Sequence, residues 1–245
     1  MGYRLPSSRA EVPGHATVTN THPESAREPD PRIRFEVETT IPTAHGSFRV
    51  RAYTDLEHGS EHLALIAGDP ASQALPPLVR LHSECLTGEA FGSLKCECGP
   101  QLQAAMDAVA LQGGVVLYLR GHEGRGIGLV NKLRAYRLQE QGRDTLDANL
   151  ELGLPADARS YEGAAAILQD LGISAVRLLT NNPLKAQALT DFGITVAERV
   201  PLEVGFNTVN RDYLRTKAER MGHFLHVDEQ DALPPSGGDA SAVDG

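Results

Sequence analysis

Apolar and polar positions alternate in short runs from Ile33 onward: IRFEVETTIPT, GSFRVRAYTD, HLALIAGD and LPPLVRLHSE, separated by Gly, Pro or Asp. A period of two broken by turn-forming residues predicts four β-strands, the last carried by residues 79–81. After Cys98 the period lengthens. Gly99-Pro100 opens a helix, proline being favoured in a first turn, and Leu102, Ala105, Met106 and Val109 give it one apolar stripe before Gly113-Gly114 ends it. Residues 115–119, VVLYL, are nearly all apolar, as a strand covered on both faces would be.

From there strands and helices alternate. The loop 120–128, RGHEGRGIG, leads into a helix from about Ile127 to Gln141, with Leu129, Leu133 and Tyr136 on one side and Lys132 and Arg134 elsewhere. Residues 144–153 read as a short helix and 154–159 as a turn. Ser160 is placed to cap a helix that runs to about Leu171 and stops at Gly172. Residues 175–180 form a buried strand, Asn181-Asn182-Pro183 starts a helix ending before Gly193, residues 194–200 are a last strand, and 210–222 a polar helix. The pattern predicts one α/β domain. Its mixed β-sheet has helices on its faces, with an antiparallel first half and a layered second half.

The two ends differ from this core. Residues 1–32, with Pro6, Pro13, Pro23, Pro29 and Pro31, and residues 229–245 bury too little apolar surface to fold alone. They read as a disordered arm and tail around a catalytic domain over 33–228. Hydrophobic residues at 41% and charged residues at 22% are ordinary for a globular chain. The net charge of −9 argues against broad nucleic-acid binding, while leaving room for an anionic small molecule held by local arginines. No run of about 18 apolar residues predicts a membrane span. The N-terminus lacks a signal-peptide core, so reduced cysteines and a cytoplasmic setting are expected.

The candidate chemistry centres on residues 80–99, RLHSECLTGEAFGSLKCECG, which hold all three cysteines, Cys85, Cys96 and Cys98. Three thiolates this close suit zinc, with water in the fourth position if the site is catalytic. His82 or Glu84 closing a structural site, idle buried thiols, and a disulfide with one cysteine left over are the alternatives. Three strand ends carry polar loops, HSEC, RGHEGRGIG and TNNPLK, and parallel strands would aim them into one crevice. The glycines and Arg125 of the second loop have the traits of an anion cradle. Thr180 and Lys185 flank a further helix start, where Asn182 could simply be a cap. Asp157 and Arg159 lie in a turn that can point both into a cleft, or can leave an Asp cap beside an exposed Arg. Tyr136 lies on an apolar stripe and by its spacing reads simply as a core aromatic. Glu84 and Glu123 could orient a guanine-like base or act as general base. His122 and His223 are further possible ligands, though a lone histidine is more often a supporting residue.

Together, HSECLTGEAFGSLKCECG, YLRGHEGRGIGLVNKLRAY, DTLDANLELGLPADAR, RLLTNNPLK and TKAERMGH closely resemble GTP cyclohydrolase II over about residues 33–225. Five motifs in one order make the resemblance specific. Only a short polar arm precedes them, so the dihydroxybutanone phosphate synthase often fused to this domain is not expected. The resemblance implies one zinc per subunit on Cys85, Cys96 and Cys98. It implies GTP contacts from Arg80, His82, Ser83, Glu84, Gln101, Glu123, Gly124, Arg125, Thr145, Thr180 and Lys185. Asp157 matches a proton acceptor, Arg159 a nucleophile toward the α-phosphorus and Tyr136 an active-site tyrosine. His122, beside the cradle, is the place to look for substrate tuning. The implied reaction opens the guanine imidazole ring, releases C8 as formate, and separately releases pyrophosphate with Mg²⁺ on the triphosphate. The product, 2,5-diamino-6-(5-phosphoribosylamino)pyrimidin-4-one, begins riboflavin synthesis. A homodimer is also implied. The competing readings are a paralogue that stops at the formylated intermediate and a zinc-stabilised nucleotide-binding protein without turnover.

Overall fold

The computed structural model describes residues 32–143, 145–155 and 157–226. The expected tail at 229–245, and the expected arm apart from Arg32, lie outside the described residues. Seven strands are described: β1 (Ile33–Thr43), β2 (Gly46–Asp55), β3 (Glu61–Ala67), β4 (Leu78–Ser83), β5 (Gly114–Leu119), β6 (Ala175–Leu179) and β7 (Thr195–Val200). The helices are α1 (Leu86–Glu89), α2 (Cys98–Gln112), α3 (Leu129–Gln139), α4 (Thr145–Glu151), α5 (Glu162–Asp170), α6 (Pro183–Asp191) and α7 (Arg211–Met221).

The strands form one sheet in the order β1-β2-β3-β5-β4-β6-β7. β1, β2, β3 and β5 pair antiparallel; β5, β4, β6 and β7 pair parallel. The change of sense follows the connections. Tight turns can only return the chain antiparallel, whereas the parallel pair β4–β5 needs a crossover, which α2 supplies. The mixed α/β sheet expected from the alternation is therefore present.

Side chains alternate across the sheet and feed two cores. Leu81, Leu117 and Leu178 pack with Ile167 and Leu168 of α5 and Leu189 of α6 on one face. Phe48, Val50 and Val116 pack with Ala105, Met106 and Val109 of α2 on the other, so the stripe read in α2 is its buried face. Burying a side chain such as Ile167 or Leu168 completely stabilises by about 1.5–3 kcal/mol.

Three local expectations change. Leu133 of α3 is 49% exposed, while Lys132 and Ala135 are buried. The inward face of α3 meets a cluster of polar groups rather than the apolar core, so a cation rather than a leucine turns inward. That helix begins at Leu129, because Gly126 (φ 85°) and Gly128 (φ 82°) lie in left-handed backbone that a right-handed helix cannot include. The position capping α5 is Tyr161; Ser160 Oγ accepts from the Glu162 amide at 3.3 Å from one residue earlier.

Candidate active site

The chain leaves β4 toward β5 on one side and returns as β6 on the other. Loops after these strands must diverge above β4, and this is where open α/β sheets hold ligands. A cleft of about 1090 Å³, including its open mouth, occupies that place. The three polar loops expected to converge do so: residues 82–85, 122–125 and 180–182 all line it, with the start of α2 and the segment from α7 to Leu225.

The sulfur atoms of Cys85, Cys96 and Cys98 all lie within 4.8 Å of one another, and Cys85 and Cys96 are 3.7 Å apart. Thiolates about 2.3 Å from a tetrahedral zinc sit about 3.8 Å from each other, so the donor set fits that ion. All three are free thiols. Gly88 makes the grouping possible, because a Cβ there would stand 2.7 Å from Cys96 Sγ and 3.2 Å from Cys85 Sγ. The thiols of Cys96 and Cys98 hydrogen-bond to Cys85, and with the Lys132 ammonium they hold it far below the usual thiol range, as a thiolate. Lys132 Nζ lies 3.1 Å from that sulfur, 2.9 Å from Thr87 Oγ1 and 2.6 Å from Glu123 Oε1. The residues weighed as a fourth ligand are engaged elsewhere. His82 Nε2 is 2.9 Å from Glu89 and its ring stacks on Tyr118, and Glu84 accepts from the Gly121 amide at 2.5 Å. Among the described residues no histidine, aspartate or glutamate joins the three sulfurs within that 4.8 Å spacing.

Beside the sulfurs lies a bank of cations. Arg80 is 5% exposed and donates to the Leu179 carbonyl at 3.0 Å and to Gln101 Oε1 at 2.8 Å, while its Nε has no partner. Arg125 holds a left-handed φ of 67°, unusual for a residue with a Cβ, and both terminal guanidinium nitrogens are buried without partners. Lys185 donates to the Leu81 carbonyl at 2.8 Å; burial, then Arg80 and Arg159, push its pKa well below the usual range. Buried cations are stable only when paired or hydrogen-bonded, so this arrangement calls for an anion from outside. Thr180 Oγ1 accepts from the Asn182 amide at 3.0 Å, and Asn182 does cap α6, accepting from the Leu184 amide at 2.9 Å.

Asp157 and Arg159 pair with each other in the turn, at 2.8 and 2.5 Å. Burial opposes the charge on Asp157, but the Arg159 guanidinium holds its carboxyl below the usual range. Arg159 lines the cleft, whereas Asp157 is not among the lining residues. Ser83 Oγ is 3.1 Å from His122 Nδ1 and accepts from Arg159 at 3.4 Å. Tyr136 is a cleft residue rather than a core aromatic, with Lys95 and Lys132 over its ring and its pKa pushed up to about 12 by burial. Glu123 is buried and committed to Lys132 and the Leu86 amide; Gly124 lines the cleft beside it. Thr145 opens α4, and its side chain lies outside those described.

Sequence reasoning missed several cleft residues. Lys132 was assigned away from the stripe, and no side chain of α7 was singled out. Yet Tyr213 and Lys217 of α7 line the cleft, as does His223 after it, the histidine read from the sequence as a possible ligand. Lys217 pairs with Glu97, which is 3% exposed between two of the cysteines. The available signal is TKAERMGH itself, a motif in which only its last residue, His223, is read as a candidate.

Residues 34–201 match the family model described as GTP cyclohydrolase II. The "Riboflavin biosynthesis protein RibBA" of Rhodococcus erythropolis is 58% identical over 200 residues, covering 80% of this chain and 47% of that protein. The protein of the same name from Salinispora arenicola is 56% identical over 204 residues, covering 83% of this chain and 48% of its own. The chain thus spans about half the length of the curated relatives it matches. A match of this length and these identities place it: the chain belongs to the GTP cyclohydrolase II family.

Proposed function

We propose that this chain hydrolyses GTP as the first step of riboflavin synthesis. It opens the imidazole ring, releases C8 as formate and frees pyrophosphate, leaving 2,5-diamino-6-(5-phosphoribosylamino)pyrimidin-4-one. The observation that carries this reading is that one cleft holds both a three-thiol metal site and buried cations short of partners. A purine ring attacked at one end and a triphosphate at the other need those two things side by side.

The chain's residues divide the work. Arg80, Arg125 and Lys185 receive phosphoryl oxygens, with Thr180 and Gln101 fixing the arginine and strand-end geometry. Glu84, which lines the cleft next to Cys85, accepts from the guanine N–H groups. His82, Ser83, Gly124 and Thr145 complete the contacts, and Tyr136 closes the cleft wall. The Cys96 and Cys98 thiols, and then Lys132, tied in place by Glu123, favour the thiolate form of Cys85 that a metal needs. When bound to the three cysteines, zinc supplies Lewis-acid activation of water at neutral pH. Asp157 orients Arg159, whose charge stabilises the phosphoryl transition state. One zinc per subunit, Mg²⁺ on the triphosphate, a catalytic domain over 33–228, a homodimer and a cytoplasmic setting belong to the same proposal.

The test is incubation of purified protein with GTP and Mg²⁺, with and without a zinc chelator, measuring formate, pyrophosphate and the pyrimidine by mass spectrometry. Chelator-sensitive formate and pyrophosphate are expected. A formylated product with no free formate would identify an enzyme that stops early, and neither product would leave a nucleotide-binding protein without turnover.

A further inference from the structure

Pyrophosphate release requires an atom to attack the α-phosphorus, and family resemblance points to Arg159. Its surroundings argue against that role. Against the effect of burial, Asp157 raises the Arg159 pKa above even the ordinary guanidinium range. A guanidinium held protonated has no lone pair to give. The hydroxyl beside it does. Ser83 Oγ lies 3.4 Å from the Arg159 guanidinium and 3.1 Å from His122 Nδ1. His122 is 8% exposed, and burial, then Arg159 and Lys185, hold its pKa down at about 3, so its imidazole is neutral. With the ring proton on Nε2, Nδ1 accepts from the Ser83 hydroxyl, the arrangement that activates a serine. Arg159 and Lys185, which depress the basicity of His122, are the charges a triphosphate offsets, so His122 becomes more basic as substrate arrives.

We propose that Ser83 is the nucleophile for pyrophosphate release, with His122 taking its proton and Arg159 holding the α-phosphoryl oxygens. The inference rests on the GTP hydrolase reading and deepens it. Position supports it: Ser83 ends β4 two residues before Cys85. A purine nucleotide in the anti form carries its 5′-phosphate on the C8 side of the ring, so C8 at the sulfur group directs the α-phosphorus toward Ser83. The step balances. Ser83 Oγ bonds to the α-phosphorus as the bond to the bridging oxygen breaks, and pyrophosphate leaves with that electron pair. The Ser83 proton passes to His122 Nδ1 and on to the departing pyrophosphate. Water then attacks the nucleotidyl ester, giving a proton to His122, which returns it to Ser83 Oγ. One water and one phosphoanhydride bond are consumed, and the enzyme is regenerated.

The test uses the full chain loaded with zinc, Mg²⁺ and GTP labelled with ³²P at the α-position, quenched in acid and, separately, in base within the first turnover. A serine phosphodiester survives acid, whereas a phosphorus–nitrogen bond to arginine does not. The expected result is an acid-stable label on the Ser83 peptide that appears with the first pyrophosphate released. An acid-labile label mapping to Arg159, or pyrophosphate accumulating with no labelled protein under either quench, overturns the proposal. Ser83→Ala should lower pyrophosphate release by about 10³-fold or more while GTP still binds; release within about tenfold of the unaltered chain overturns it too. His122→Asn should cost about 10²-fold, and an unchanged rate would remove His122 from the step. If the unaltered chain makes neither formate nor pyrophosphate, the hydrolase reading fails; formate without the Ser83 adduct fails this inference alone.

Discussion

Lys132, His122 and His223 show how neighbours decide a side chain's charge. Lys132 stays an ammonium although buried, because Cys85, Thr87 and Glu123 surround it with acceptors. The two histidines go the other way. Burial first, and then Arg159 and Lys185 for His122 and Lys217 and Arg125 for His223, hold each at about 3. In the unfolded chain both titrate near 6.5. Between those values the unfolded state binds protons that the folded state refuses, so stability is lost as pH falls from about 6.5 toward about 3. Each histidine contributes a slope of up to about 1.4 kcal/mol per pH unit. Denaturant melts at about pH 6 and about pH 4.5 should show a shallower loss for His223→Asn than for the unaltered chain, by roughly one proton's slope. Equal slopes would contradict a half-buried His223 held neutral.

At the scale of elements, two short pieces hold the cleft together. α1 is only four residues long, yet its Gly88 lies against all three cysteines. Gly88→Ala should therefore separate the sulfurs and lower zinc affinity by at least the 10–100-fold typical of disturbed supporting contacts. Competition with a colorimetric chelator reads that directly, and unchanged affinity would mean the loop yields without moving the sulfurs. α7 is anchored by Lys217 on Glu97, with Lys217 also 4.5 Å over the Tyr213 ring. Lys217→Ala leaves a buried carboxylate without its counter-charge, a loss of about 3–5 kcal/mol. Lys217→Ala combined with Glu97→Gln should cost less in urea melts, and a double variant no more stable than the single one would show that the pair does not anchor the helix.

For the whole molecule, the metal site ties the end of the interior strand β4 to the start of the crossover helix α2. Zinc bound to the folded chain should stabilise it by about 2.7 kcal/mol at a hundredfold excess over Kd. For a chain of this size that is a rise in Tm of roughly 5–10 °C, measured by scanning calorimetry of chelated and zinc-loaded protein. An unchanged Tm would mean that the three thiols hold no ion.

Read alone, the residues determined the strand and helix order, the mixed sheet, the thiol group and the three strand-end loops. These follow from local periodicity and from side-chain chemistry that short motifs carry intact. Tertiary structure decided what those signals could not reach. It turned Lys132 inward against Cys85, paired Glu97 with Lys217 across 120 residues of chain, and set Ser83 against His122. Each depends on contacts between distant segments, and a charge looks like a surface residue in sequence until the fold brings its partner to it. That is also why Tyr136 was ambiguous: the same helical spacing serves a core and a cleft, and only the packing of α3 over polar groups chose between them.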